Sequence, residues 1–180
     1  MTSSFYRRAF SLLTSSLLVA VAAPVFAACN GNEIAANAPD ARFSVAGELV
    51  TDTATGLVWK HCAEGLSGAT CSSGSVVIGT WADAFARVAA VNAAPATLGA
   101  GASDWRLPNR NELASLVERK CTAPSVNAAI FPATPAQSFW TSSPYAQIAS
   151  LAWAVDFNVG DVGPNSKTEI KNIRLVRGTN

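Results

Sequence analysis

Histidine occurs once in the 180 residues, at His61, and the spacing C-x-x-C does not occur. Structural zinc centres draw four ligands from cysteine and histidine at short spacings, so a metal cage of that kind is not expected. A charge excess of either sign is also missing. There are 13 basic and 12 acidic residues, and removing Arg7 and Arg8 with a leader leaves 11 basic. Neutralising nucleic-acid phosphates requires a basic face, which excludes nucleic acid as the partner. The sequence has no G-x-S-x-G, no Gly-X-Y run and no internal repeat. Past residue 27 no apolar run is long enough to span a bilayer.

The first 27 residues read as a secretory signal peptide. Arg7 and Arg8 form a basic n-region, an apolar run extends from Phe10 to Ala23, and "PVFAACN" offers small residues for cleavage after Ala27. The run is too short and too rich in Ser and Thr for a membrane anchor. The domain plan is therefore a signal peptide over 1–27, a polar arm without regular structure over 28–42, and a folded domain over 43–178. The expected location is outside the cytoplasm, in the periplasm or at the cell surface. Lipidation at Cys29, which follows "FAA", is the alternative. Four cysteines in an exported chain imply disulfides. Three pairings exist. Cys62 and Cys71 bracket the Gly-rich "AEGLSGAT", which leaves Cys29 to tether the arm to Cys121.

"FSVAGELVTDTATGLVWKHC" reads as two extended runs around turn signals. In "TWADAFARVAAVN", Trp81, Ala84, Phe85 and Val88 recur at helical spacing behind a Thr80 cap with Asp83 three residues on. In "NRNELASLVERKC", Asn109 caps, Glu112 returns the bond, and Leu113, Leu116, Val117 and Cys121 share one face. Pro108 keeps Leu107 extended and makes that helix start abrupt. "QSFWTSSPY", "SLAWAVDFNVG" and "KNIRLVRG" are rich in aromatic and β-branched residues and read as antiparallel strands. Strands, two helices and a further group of strands define an α+β fold.

Catalysis finds no constellation here. Thr141, Ser142 and Ser143 offer hydroxyls, but a nucleophile needs a base and a group to orient it, and His61 is the single candidate base. In "DFNVGD", Asp156, Asn158 and Asp161 supply oxygen ligands. The spacing departs from the twelve-residue calcium loop, with Asp161 where a glycine belongs and Lys167 where a glutamate belongs, so no cofactor is expected and calcium at this loop is the alternative. Trp59, Trp81 and Trp105 lie among apolar neighbours and read as core. Trp140 and Trp153 lie next to loops, and Tyr145 or Trp153 is the aromatic expected to touch a ligand, with Asp156 and Asn158 nearby. In "DWRLPNRNEL", Trp105 and Leu107 enter the core, Pro108 and Asn109 start the helix, and Arg106 pairs with Asp104, Glu112 or a carbonyl. This motif reads as architecture.

Eight pieces stand in the order of the Lcl C-terminal domain family: "VTDTATGLVWKHC", "CSSGS", "TWADAFARV", "SDWRLPNRNELASLVE", "VNAAIFP", "FWTSSPY", "AWAVDFNVG" and "IRLVRG". The chain resembles that family, named after the tail of a bacterial collagen-like adhesin, across nearly all of its mature length. The resemblance implies a C-type lectin-like fold related to the sulfatase-modifying factors. Two helices would pack on a small antiparallel sheet, with paired N- and C-terminal strands and long loops. The 48–59 region would lie beside Ile173–Val176, where alternation in "IRLV" puts Ile173 and Leu175 on the inward face and Arg174 and Val176 on the face that can carry charge. It also implies a non-catalytic, adhesin-like binding domain of the bacterial cell envelope, recognising surface glycans or envelope proteins. An inert envelope component is the alternative, and an enzyme related to the sulfatase-modifying factors a third reading. The adhesin's collagen stalk and its sulfated-glycan ligand do not carry over, because this sequence lacks the repeat and has balanced charge.

Overall fold

The computed structural model describes residues 28–30 and 34–178, so the signal peptide expected over 1–27 lies outside the described residues. In chain order the first strands are β1 (Ala28–Cys29), β2 (Phe43–Ala46), β3 (Leu49–Asp52), β4 (Val58–Lys60), β5 (Leu66–Ser67), β6 (Ser73–Gly74) and β7 (Ile78–Gly79). Helices α1 (Trp81–Ala93) and α2 (Arg110–Ala114) follow. The chain ends with β8 (Cys121–Thr122), β9 (Ser138–Pro144), β10 (Leu151–Asp156), β11 (Asp161–Ser166), β12 (Lys171–Asn172) and β13 (Val176–Arg177). The fold is α+β and dominated by sheet. No helix among the described residues is long and apolar enough to cross a membrane.

One sheet has the order β13-β4-β3-β2. Three strands, not two, occupy 43–60. Gly47, at φ 60°, turns the chain between Ala46 and Leu49, which face each other across the hairpin. A two-residue turn inside an apolar run barely disturbs the hydropathy pattern, so the sequence reads as one run. The terminal strand sets Val176 opposite Trp59 and Arg177 opposite Val58. It docks on β4, the third strand of this meander, while the first strand, β2, holds the far edge. The arm is also less irregular than its composition suggests. β1 pairs with β8, and a 3-10 turn at Asp40–Arg42 leads into β2.

The second sheet has the order β11-β10-β9-β12-β7. It is not purely antiparallel, since β12 meets β9 in parallel at Asn172 and Phe139. Pro164 sits within β11, a segment not read as a strand from sequence. An edge strand tolerates proline because its outward N–H has no ladder partner to lose. Side chains alternate across β9 and β10. Phe139 and Val155 join Val50, Trp59, Leu113, Leu116 and Val176 in one core. Trp140, Ala152 and Ala154 join Ala84, Val91, Trp105, Leu107, Ile173 and Leu175 in the other. The sheet is a wall between two cores, and each large apolar side chain buried there contributes about 1.5–3 kcal/mol.

Both helices begin as their sequence dictates. Thr80 with Asp83, and Asn109 with Glu112, form complete capping boxes. The buried face of α1 runs through Ala84 and Val91, while Phe85 is 41% exposed and packs edge-on against Trp81. The second helix is shorter than its apolar spacing predicts. Leu113, Leu116 and Val117 are buried, but after Ala114 the chain makes i to i+3 turns, and Val117 bridges Val126. The Glu118 carboxylate then accepts from the N–H groups of Ala38 (2.8 Å) and Lys120 (3.0 Å), which bends the chain away from helix. Cys121 therefore lies on β8 instead of a helical face. The cysteines pair Cys29–Cys121 and Cys62–Cys71 as expected.

Two further expectations are overturned. Trp140 is fully buried, donating from Nε1 to the Gly79 carbonyl at 2.9 Å, and borders no open face. Arg174 is 1% exposed and Val176 is fully buried, so neither lies on an outward charged face. Strict alternation fails because both sides of this segment are covered, one by each core. Arg174 donates to the carbonyls of Lys60 (3.1 Å) and His61 (2.8 Å) and to the Thr134 hydroxyl (2.8 Å). Its guanidinium also lies 4.8 Å from the Phe131 ring centroid.

Candidate ligand-binding face

The motif "DWRLPN" builds one side of this face. Trp105 is clamped by its Nε1 donating to Gly99 O (2.7 Å) and by Asn92, which accepts from its N–H and donates to its carbonyl. Arg106 forms a two-armed pair with Glu112, both arms 2.8 Å, while its backbone bridges Val176. Burial pushes the Glu112 carboxyl up, but the hydrogen bonds from Arg106 and the Asn109 N–H outweigh it and leave the pKa below its ordinary value. Leu107 and Pro108 are buried, and the Pro108 carbonyl accepts from the Ser142 N–H at 2.8 Å. The motif thus fixes both α2 and the middle of β9.

That attachment point is a bulge. Ala152 faces Pro144 and Ala154 faces Trp140, so three residues of β9 stand opposite Trp153 alone. Bulges twist a strand and re-aim its side chains. The Thr141 hydroxyl donates to the Trp153 carbonyl at 2.7 Å, and the Ser143 hydroxyl accepts from the Arg110 N–H at 3.0 Å. Trp153 is half-buried and meets Tyr145 edge to face, with centroids 5.3 Å apart. The guanidinium of Arg110, exposed at the start of α2, lies 4.6 Å over the Trp153 ring. Ile148, at the tip of the β9–β10 hairpin, is 49% exposed.

The four residues expected at a ligand do not form one group. Tyr145 and Trp153 meet, whereas Asp156 and Asn158 belong to the turn at the other end of β10. Three positions separate Trp153 from Asp156 on the strand, so their side chains point to opposite faces. Asp156 Oδ1 accepts from the Asn158 N–H at 2.8 Å, and the Asn158 carbonyl accepts from the Ala123 N–H at 2.9 Å. The strand read through Val159 ends at Asp156. Phe157 is buried, and Val159 points outward from the turn. Arg110 was not singled out by sequence reasoning. Its signal is positional, since the residue after the Asn109 cap is fixed wherever the bulge fixes Ser143.

A second polar group lies under β4. Glu64 is 1% exposed and pairs with Lys60 (2.7 Å) and Arg87 (2.8 Å). Burial lowers the pKa of Arg174 to about 10, with the Glu64 charge acting the other way. His61 is buried beside it. Burial, then the Arg174 charge, lowers its pKa, against a hydrogen bond with the Ile130 backbone.

These features define a small disulfide-linked α+β domain with an aromatic and cationic patch at one strand bulge. The chain belongs to the Lcl C-terminal domain family, whose profile matches residues 48–177. No curated protein matches the chain.

Proposed function

We propose that this is a secreted, non-catalytic binding domain of the bacterial cell envelope, C-type lectin-like in kind, which recognises surface glycans or an envelope protein. The observation that carries this reading is the grouping of Tyr145, Trp153 and Arg110 beside a bulge held by buried architecture. Rigid aromatic rings with an adjacent hydrogen-bonding cation suit a sugar face or a protein side chain, at little entropic cost to the domain. Family membership supports a role in attachment. Asp156 and Asn158 take a secondary part, at a turn remote from the aromatic pair.

The absence of catalysis is part of the proposal. The Thr141 hydroxyl is committed to the Trp153 carbonyl and the Ser143 hydroxyl to Arg110, and among the described residues neither hydrogen-bonds to His61. The binding face calls for no cofactor.

The test is a glycan and envelope-protein panel screened with the mature protein, with and without chelator, beside Tyr145→Ala and Trp153→Ala. Binding that both substitutions abolish at unchanged melting temperature is the expected result. Binding that survives both would move the site elsewhere. Failure to bind anything on the panel would favour the inert structural component.

A further inference from the structure

His61, Cys62 and Cys71 form the one group among the described residues in which three metal-ligating side chains converge. One ligand atom from each lies within 4.8 Å of the others, and all three residues are buried. In the oxidised chain the two sulfurs are bonded to each other, and it is thiolate sulfur that binds metals. Reduction changes the donor set from one imidazole to one imidazole and two thiols.

The surroundings decide which cation suits that set. Cys62 lines a cleft of about 160 Å³ together with Gly65, Leu66 and Ser67, which brings solvent to the edge of the disulfide. The hydrogen bonds of Arg174 all go to neutral acceptors, one of them the His61 carbonyl at 2.8 Å. Glu64, the carboxylate acting on it, is already held by Lys60 and Arg87. Three cations, Lys60, Arg87 and Arg174, stand against two carboxylates, the buried Glu64 and the exposed Glu48 that lines the cleft and acts on His61, so the region stays short of negative charge by one. Two thiolates around a divalent ion are neutral in sum, whereas around a monovalent ion they carry one negative charge. Thiolate donors also select soft ions.

We propose that reduction of Cys62–Cys71 turns His61, Cys62 and Cys71 into a three-coordinate site for copper(I). The reductant is a dithiol. It delivers two electrons and two protons, the protein S–S bond breaks, and the dithiol closes to its own disulfide. Copper(I) then displaces both thiol protons to solvent and binds the two thiolates and the imidazole nitrogen. Metal–sulfur bonds of about 2.3 Å require the sulfurs to move apart, which rotation of the two cysteine side chains supplies. The site stands independently of the ligand-binding face, and its failure leaves that reading untouched.

The experiment titrates the dithiol-reduced mature protein anaerobically with copper(I) against a chromogenic competitor, beside His61→Gln and Cys62→Ser/Cys71→Ser. Near-ultraviolet dichroism follows the fold, and X-ray absorption counts the ligands. The double variant keeps Cys29 and Cys121, so it measures what those thiols contribute. Expected are one tightly bound copper per chain with two sulfur and one nitrogen scatterers, at least about a hundredfold weaker binding in the double variant, and loss of the nitrogen scatterer in His61→Gln. Equal binding by wild type and double variant would overturn the site. So would an unchanged ligand set in His61→Gln, or loss of the native dichroism on reduction. Preference for zinc(II) under the same competition would refute the charge argument and with it the assignment.

Discussion

The Arg174 guanidinium donates to the Thr134 hydroxyl at 2.8 Å in a place closed to solvent. The same side chain satisfies two carbonyls from the Lys60–His61 segment. One buried cation thus ties the terminal segment to β4 and to the 131–135 loop.

Arg174→Met preserves most of the volume and leaves all three acceptors without their donor. Each buried acceptor so stranded costs about 1–3 kcal/mol, so the expected loss is about 3 kcal/mol or more. Urea unfolding measures it. A loss below about 1 kcal/mol would mean that water replaces the guanidinium.

The buried tryptophans should differ sharply from one another. Trp140 Nε1 donates to Gly79 O, whereas Trp59 Nε1 has no hydrogen-bond partner. Trp59→Phe removes an unsatisfied donor along with packing area, and its cost should stay within about 1.5 kcal/mol. Trp140→Phe strands a carbonyl and opens a void, for about 2–4 kcal/mol. Thermal or denaturant melts of the pair decide this, and equal losses would count against the distinction.

Acid should act through Asp52. Burial raises the pKa of this carboxyl, but hydrogen bonds from Arg42 and Thr55, the Arg42 charge and the Ala54 N–H together bring it below its ordinary value of 3.8. A depressed folded pKa contributes stability that is present above 3.8 and is lost as pH falls from there through the folded value. Asp52→Asn should be less stable at neutral pH, because Arg42 loses its partner, and the gap to wild type should narrow below pH 3.8. Parallel pH–stability curves would contradict it.

The two disulfides should be unequal. Cys29–Cys121 spans 92 residues of sequence and Cys62–Cys71 spans 9. In the chain-entropy picture the first contributes about 4–5 kcal/mol and the second about 2–3 kcal/mol. Paired serine variants compared by melting give the order, and a larger loss at Cys62/Cys71 would reverse it.

What the sequence made legible was local. The capping boxes at Thr80 and Asn109 depend on residues three apart, and the disulfide pairing follows from a short Gly-rich loop and elimination. What it hid was set by distant contacts. Glu118 draws the chain out of α2 by accepting from Ala38, 80 residues earlier. Arg174 reads as an outward charge until both sides of its segment are known to be covered. The two-residue turn at Gly47 and the edge strand carrying Pro164 lacked a hydropathy signature. Of the expected ligand residues, Trp153 on β10 and Tyr145 just past the end of β9 meet. Separating them from Asp156 and Asn158 required the bulge and the strand's length, neither of which hydropathy encodes.

Ile173, Leu175 and Val176 belong to the two cores on either side of the β9–β10 wall, and all three come from one short segment. On a ribosome that segment emerges after every element it completes. Until it is synthesised β4 has β3 on one side but lacks β13 on the other, the Lys60 and His61 carbonyls lack Arg174, and both cores lack the side chains of this segment. The expected consequence is that a chain ending before Ile173 does not reach the native state, which near-ultraviolet dichroism of the truncated protein checks.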